Sequence, residues 1–371
     1  MSVRAAAPGS GHFRQARRYF LTAALVCAAA GILLFPVELS GAVRGSLEGC
    51  LEVVVPALFA FTVLAIYMQQ SGLYTLALKP LTLPLSKLLG IPEELCAVFV
   101  LANIGGYPVG ARLLSGLVRE GRLSRRNAGR MLSCCYGSGP SFVIGTAGMQ
   151  VFGSAAAGGI IFAACFLSSL MIAVFVCRTG EKITLESGNI RADLSAECFV
   201  RSVDSGARVM YTICIMAALF AAVTALLECS GITGLISGIL EKCGAGGNSS
   251  HIFPAFLEVT RVRDILPGGA AASLCAGLLS FGGVCVLMQV TAVSGGNVPV
   301  KPLVLSRIPA ALLSAALAVP AGFLPAPVQE TSSGGAVRSE IFSVNAGLSV
   351  CVMAMAGILI LSVERARRRD G

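Results

Sequence analysis

The apolar run over residues 95–117 is broken at its centre by Gly105-Gly106-Tyr107-Pro108, and an interruption of that kind inside a hydrophobic stretch leaves few folds open. Ser138-Gly139-Pro140 interrupts a later run in the same way. In hydrocarbon every backbone N–H and C=O requires a partner, so irregular backbone persists at membrane depth only where protein or a water-filled cavity surrounds it. Broken helices therefore mark a site inside a helical bundle. The membrane setting follows from composition: 55% hydrophobic residues, 13% charged residues and a mean hydropathy of +0.81 are too apolar for water to solvate.

Spans of about twenty residues, the length that crosses ~30 Å of hydrocarbon, are expected to start near Phe20, Glu52, Met131, Ala155, Val209, Ala271, Leu303 and Val344. The expected fold is all-α: a polytopic membrane protein of about eight transmembrane helices, with a re-entrant hairpin over residues 95–117 and a second over 251–267.

A formal net charge of +9 points first to nucleic acid, but the basic residues cluster at span ends. Arg14, Arg17 and Arg18 precede the first span, and Arg365, Arg367, Arg368 and Arg369 follow the last. That pattern sets topology, with contact to anionic lipid head groups as a milder reading. If Arg119, Arg122, Arg125, Arg126 and Arg130 are cytoplasmic, eight spans place both termini on the cytoplasmic side of the inner membrane. The N-terminal segment has the charge and apolar core of a signal peptide. Its apolar stretch runs directly into Pro36 and another span follows, so an uncleaved first helix is expected.

Of fourteen cysteines, Cys27, Cys96, Cys165, Cys177, Cys214, Cys275, Cys285 and Cys351 lie in or at the ends of apolar runs, as small helix-packing residues do. The vicinal Cys134-Cys135 leave a reactive pair open. With two histidines and no His/Cys/Asp/Glu group at metal-ligand spacing, neither a metal nor a cofactor is expected. No nucleophile elbow, zinc-protease helix, Walker loop or dinucleotide glycine fingerprint occurs, so the chain does not read as an enzyme.

The two halves look alike. Residues 49–73 end in Gln70-Ser71-Gly72-Leu73 and residues 206–232 end in Cys229-Ser230-Gly231-Ile232. Each is followed by a polar or amphipathic stretch, a candidate hairpin and a Ser-Gly-rich break, at Ser138-Gly139-Pro140-Ser141-Phe142 and at Ser280-Phe281-Gly282-Gly283-Val284. The topology gives the two units opposite orientations, a transporter-type architecture. The expected organisation is a cytoplasmic N-terminus with the first transmembrane helix (1–48), a first repeat (49–177), a cytoplasmic linker (178–205), a second repeat (206–324), and an external loop, last helix and basic tail (325–371). Residues 244–250 and 331–335 read as exposed loops.

Three groups of residues suit a polar solute. At Asn103, Gly105, Gly106, Tyr107, Pro108 and Gly110, glycines admit close backbone approach, while Asn and Tyr offer donors and acceptors; a tight turn without a ligand fits equally. At Ser138, Gly139 and Pro140, the proline lacks a backbone donor and frees a carbonyl one turn earlier, or marks a packing kink. In the second hairpin Glu258 and Thr260, with Arg261, Arg263 and Asp264, put ionisable groups at membrane depth, unless the hairpin is interfacial and these charges are solvated. Gly282, Gly283 and Gln289 complete the set, Gln289 lining a pathway or hydrogen-bonding across helices.

The motifs Asn103-Ile104-Gly105-Gly106-Tyr107-Pro108-Val109-Gly110-Ala111-Arg112 and Ser138-Gly139-Pro140-Ser141-Phe142-Val143-Ile144-Gly145 resemble those of the YlbJ-type sporulation integral membrane proteins, of the Gate or nucleoside-recognition domain group. The resemblance continues through Leu257-Glu258-Val259-Thr260, Leu279-Ser280-Phe281-Gly282-Gly283 and Met288-Gln289-Val290, and covers residues 49–323. It implies a multispanning inner-membrane protein of spore-forming bacteria whose Gate domains are related to those of concentrative nucleoside transporters and ferrous-iron permeases. The chain departs from the pattern where Arg261, Val262 and Arg263 follow Thr260 in place of a glycine. The function expected is transport of a small polar solute, nucleoside-like or other, with Glu258 as the coupling carboxylate; the alternative is a structural or assembly factor of the spore envelope. Expected partners are that solute, the lipid bilayer and a coupling proton or sodium ion, with a homo-oligomer left open and no nucleic acid.

Overall fold

A computed structural model describes residues 10–186 and 193–323. The span expected near Val344, the loop at 331–335 and the C-terminal arginines lie outside them. Every regular element among the described residues is helical.

Helix α1 (Ser10–Leu34) ends where Pro36, which has no backbone N–H to donate, opens α2 (Pro36–Gly49); the two meet at 92°. A π-helical turn, Cys50–Val54, joins α2 to α3 (Val55–Gln70). The span expected near Glu52 is thus a 16-residue helix entered through that turn. After α3 the chain reverses at Ser71-Gly72 into the short α4 (Tyr74–Ala77) and the amphipathic α5 (Lys79–Leu89). Helix α5 lies at 109° to α6 (Glu93–Gly105), and α7 (Tyr107–Arg119) packs back against α6.

The turn between α6 and α7 is Gly106 alone, at φ +92°, a conformation a side chain would strain. Residues 95–103 of α6 are buried without a break. A helix that is apolar all round belongs inside a bundle, so the hairpin sits in the interior.

Helix α8 (Arg125–Leu132) is capped by the Ser124 hydroxyl, which accepts from the Asn127 N–H at 3.2 Å. The single span expected from Met131 is not formed. Proline at 140 pushes the preceding residue out of the helical region, and Gly139 is extended at φ −62°, ψ 151°. The passage up to Gly139 is therefore irregular, and helix resumes only with α9 (Pro140–Phe142) and a π-helix, Val143–Val151, before α10 (Ala155–Arg178).

The second half opens with the 34-residue α11 (Ala196–Cys229), reverses at Ser230-Gly231 into α12 (Ile232–Lys242), and reaches α13 (Ser249–Leu257). The return leg of this hairpin is a 3-10 helix, Val259–Asp264, rather than a second α-helix. Helices α14 (Ala271–Phe281) and α15 (Gly283–Ser294) form one span broken at Gly282, and α16 (Lys301–Leu317) follows.

Among the described residues three helices are long and apolar enough to cross a membrane: Ala155–Arg178, Ala196–Cys229 and the broken Ala271–Ser294. The number becomes five if each bent pair counts as one span. The outward face of the bundle is apolar. Tyr211, Ile215 and Leu219 on α11, and Leu305, Ile308 and Leu312 on α16, recur at the three- and four-residue spacing of one helix face and are exposed. Such a surface is a liability in water and ordinary in lipid. The protein is an integral membrane protein with several apolar helices.

Several of the arginines that end the apolar runs cap helices. Arg130 donates to the Val176, Thr179 and Glu181 carbonyls at the end of α10, and Arg178 to those of Lys87 and Leu88 at the end of α5. Arg122 pairs with Glu94. Cations at helix C-termini satisfy orphan carbonyls and suit the dipole.

Candidate functional site

Breaking a helix at membrane depth leaves carbonyls without partners, and the structure shows which side chains answer them. Asn103, 2% exposed, donates from Nδ2 to the Phe99 carbonyl at 2.9 Å and to the Cys134 carbonyl at 3.2 Å, tying α6 to the irregular passage. The Tyr107 hydroxyl donates to the Leu279 carbonyl at 2.6 Å. Asn103 and Tyr107, two of the side chains expected to contact solute, are thus engaged with backbone. The Tyr136 hydroxyl donates to Phe281 O at 3.1 Å.

Between these two lies Arg307 of α16, 1% exposed. It donates to Ser280 O at 3.1 Å and to Ser133 O at 2.5 Å, and its guanidinium carbon sits 4.5 Å from the centre of the Tyr136 ring. Three consecutive carbonyls at the C-terminus of α14 therefore receive donors from α7, α16 and the irregular passage. Arg307 was not singled out from sequence, although a lone arginine inside an apolar run is a signal in itself.

Most of the singled-out glycines serve contacts within the chain. A Cβ on Gly110 would lie 2.0 Å from the Cys135 carbonyl oxygen, one on Gly139 2.9 Å from Ile104 O, and one on Gly105 2.7 Å from the Phe61 ring. At Gly282, φ +85°, it would meet the Tyr136 hydroxyl at 2.0 Å, and at Gly283 the Val259 nitrogen at 3.1 Å. Pro140 stands at the start of a helix, where its missing donor costs nothing. The expectation that it frees a helical carbonyl one turn earlier is not met, because extended chain precedes it. Ser138 is buried.

Seven of the singled-out residues from the two halves meet around one narrow cleft: Gly106, Tyr107, Pro108 and Gly139 from the first, Glu258, Thr260 and Gln289 from the second. The cleft has about 50 Å³ open to water, room for a few molecules. Asn103, Gly105, Gly110, Ser138, Pro140, Gly282 and Gly283 do not line it. Cys50, Leu58 and Ile213 do, from α3, its π-turn and α11; their apolar side chains carried no signal in the sequence.

Glu258 is 5% exposed and accepts from the Thr260 hydroxyl. Gln289 Nε2 donates to Ile213 O at 3.5 Å and faces Cys285 Sγ at 3.3 Å, so it both bridges to α11 and lines the cleft. Arg261 pairs with Glu228 at 3.0 Å and Asp264 at 3.1 Å rather than with Glu258.

Glu258 and Thr260 also border a second cavity of about 220 Å³, walled by α2, α11 and the π-helix after α9. Among the described residues no group of His, Cys, Asp or Glu could hold a metal ion. Cys134 and Cys135 are free thiols inside the bundle.

No family model matches the chain, and no solved structure matches it. It is similar to the sporulation integral membrane protein YlbJ of Bacillus subtilis (strain 168), at 28% identity over 134 residues, 35% of this chain and 32% of that protein. The match thus spans about a third of the relative's length. The resemblance read from the motifs is supported by this similarity.

Proposed function

We propose that the chain is an inner-membrane permease for a small polar solute, acting in spore formation, with no enzymatic activity of its own. The observation that carries this reading is the convergence of Gly106, Tyr107, Pro108 and Gly139 with Glu258, Thr260 and Gln289 on one cleft in an apolar bundle. Ionisable groups at such depth are expensive and mark solute or proton pathways. Glu258 is the coupling carboxylate, for a proton or a sodium ion. The link to sporulation rests on the name of the relative.

Two inverted Gate-like units fit this reading. Both leading helices end in the same reversal: Ser71 N–H donates to Tyr67 O and Gly72 N–H to Gln69 O, as Ser230 N–H does to Leu226 O and Gly231 N–H to Glu228 O. The two glycines have φ +73° and +76°. An amphipathic helix, a hairpin, a break and a closing helix follow each reversal. Eight spans, cytoplasmic termini and a homo-oligomer belong to the same proposal.

Reconstitution into proteoliposomes tests it. Uptake of labelled nucleosides, amino acids or dicarboxylates is expected in wild type and to fall at least about tenfold in Glu258→Gln, the size of a lost charge-assisted contact. Unaltered uptake in that variant removes the coupling role. A second reading, a structural factor of the spore envelope, is favoured by the engagement of Asn103 and Tyr107 with backbone. On that reading folded Glu258→Ala and Gly106→Leu variants support spore formation as well as wild type.

A further inference from the structure

The larger cavity has features that packing does not explain. Gly41, Gly45 and Gly49 recur every fourth residue along α2, a spacing that in membranes usually brings two helices together. Here a Cβ added to any of the three would meet nothing within 4 Å. By contrast, a Cβ on Gly31 of α1 would lie 2.3 Å from Leu226 of α11, as a packing glycine should. The α2 glycines instead present bare backbone to the cavity they line.

On the facing wall Thr224 of α11 is 4% exposed, and its hydroxyl has no hydrogen-bond partner. Thr212 bonds the carbonyl four residues back, Arg208 O at 2.9 Å, and Thr291 bonds Leu287 O at 2.8 Å. The hydroxyls of Thr62, Thr224 and Thr233 have no such partner, and of these three Thr224 is the one that lines the cavity. A buried hydroxyl left unpaired is costly until something enters to pair with it. Four charged residues line the cavity: Glu228 and Arg261 pair with each other at 3.0 Å, Glu258 is buried, and Arg263 is half-exposed, its one ion pair among the described residues a 3.7 Å contact with Asp264.

We propose that this cavity, which shares Glu258 and Thr260 with the narrow cleft at the hairpin tips, is the solute-binding compartment, and that it takes a small zwitterion of amino-acid size. The ammonium end turns to Glu258, the carboxylate end to Arg263, and the Thr224 hydroxyl and the glycine face hold the middle. At about 220 Å³ against about 50 Å³, this cavity is the one of the two that holds more than a few waters. The inference rests on the permease reading for its role and on the cavity alone for its ligand.

The test is thermal stabilisation of the purified full chain in detergent by L-alanine, L-serine and L-glutamine, against propylamine, propionate and uridine at equal concentration. Stabilisation by an amino acid and by neither single-charge analogue is expected. Thr224→Val, which keeps the shape and removes the hydroxyl, should weaken that binding about fivefold. Gly45→Leu should abolish it, and if that variant does not fold, Thr224→Val decides. The proposal fails if no amino acid stabilises the protein, or if Thr224→Val binds as wild type does. A uridine response lost in Glu258→Gln and unchanged in Thr224→Val overturns the cavity assignment and leaves the permease reading standing. Amino-acid binding without uptake in proteoliposomes keeps this site and rejects the permease.

Discussion

The glycines of α2 and the glycines at the helix breaks obey opposite rules. Around Gly110 and Gly282 a single methyl group would collide at 2.0 Å with a carbonyl or a buried tyrosine hydroxyl. Around Gly41, Gly45 and Gly49 it would touch nothing. At the first set chain crosses chain; the second faces open space, with Gly41 and Gly45 exposed. Residue type and spacing do not separate the two, and the surroundings do.

Substitutions can break that contrast. Gly282→Ala carries the largest expected effect, about 4 kcal/mol of lost stability, combining overpacking against Tyr136 with a left-handed backbone at an L-residue. Denaturant titration of the detergent-solubilised protein reads it, and a loss below ~1 kcal/mol would mean that the break can relax. Arg307→Met comes next, at about 3 kcal/mol, because the Ser280 carbonyl loses its side-chain donor in an apolar interior and the Ser133 carbonyl keeps only the 3.3 Å bond from the Ser306 hydroxyl. Arg307→Lys should not restore it, since an ammonium cannot reproduce the guanidinium fork. Asn103→Leu should cost about 2 kcal/mol by orphaning the Cys134 carbonyl, with solute binding by the folded fraction unchanged. Gly45→Ala should fall within about 0.5 kcal/mol of wild type, on the stabilising side, as helix propensity dictates for an uncrowded site. If Gly45→Ala cost as much as Gly282→Ala, the open wall of α2 would be a packing seam after all.

The breaks were legible where glycine clusters with proline or a second glycine, and the structure places them at Gly106, before Pro140 and at Gly282. Residue type alone does not decide, since Pro309 sits inside α16 and Gly158-Gly159 inside α10 without a break. The likeness of the two halves led to the expectation that their hairpins and breaks meet, and Glu258, Thr260 and Gln289 line one cleft with Gly106 and Tyr107. The use of Asn103 and Tyr107 was not legible. A polar side chain beside a break looks the same whether it faces a solute or an orphan carbonyl, and only the placement of Cys134 and Leu279 decides. The cavity wall was hidden for another reason: Gly41, Gly45 and Gly49 stand at a spacing with an established meaning in membranes, and Thr224 is one threonine among several in apolar helices. Met131 misled because the apolar character of residues 131–151 continues through a stretch where Pro140 forbids a continuous helix.

The carbonyls of Leu279, Ser280 and Phe281 are held by Tyr107, Arg307 and Tyr136, three residues from three separate parts of the chain. A joint braced from three directions does not hinge. Swinging α14 about Gly282 would release all three hydrogen bonds at once into an interior with no water to replace them. The two breaks therefore travel as one body.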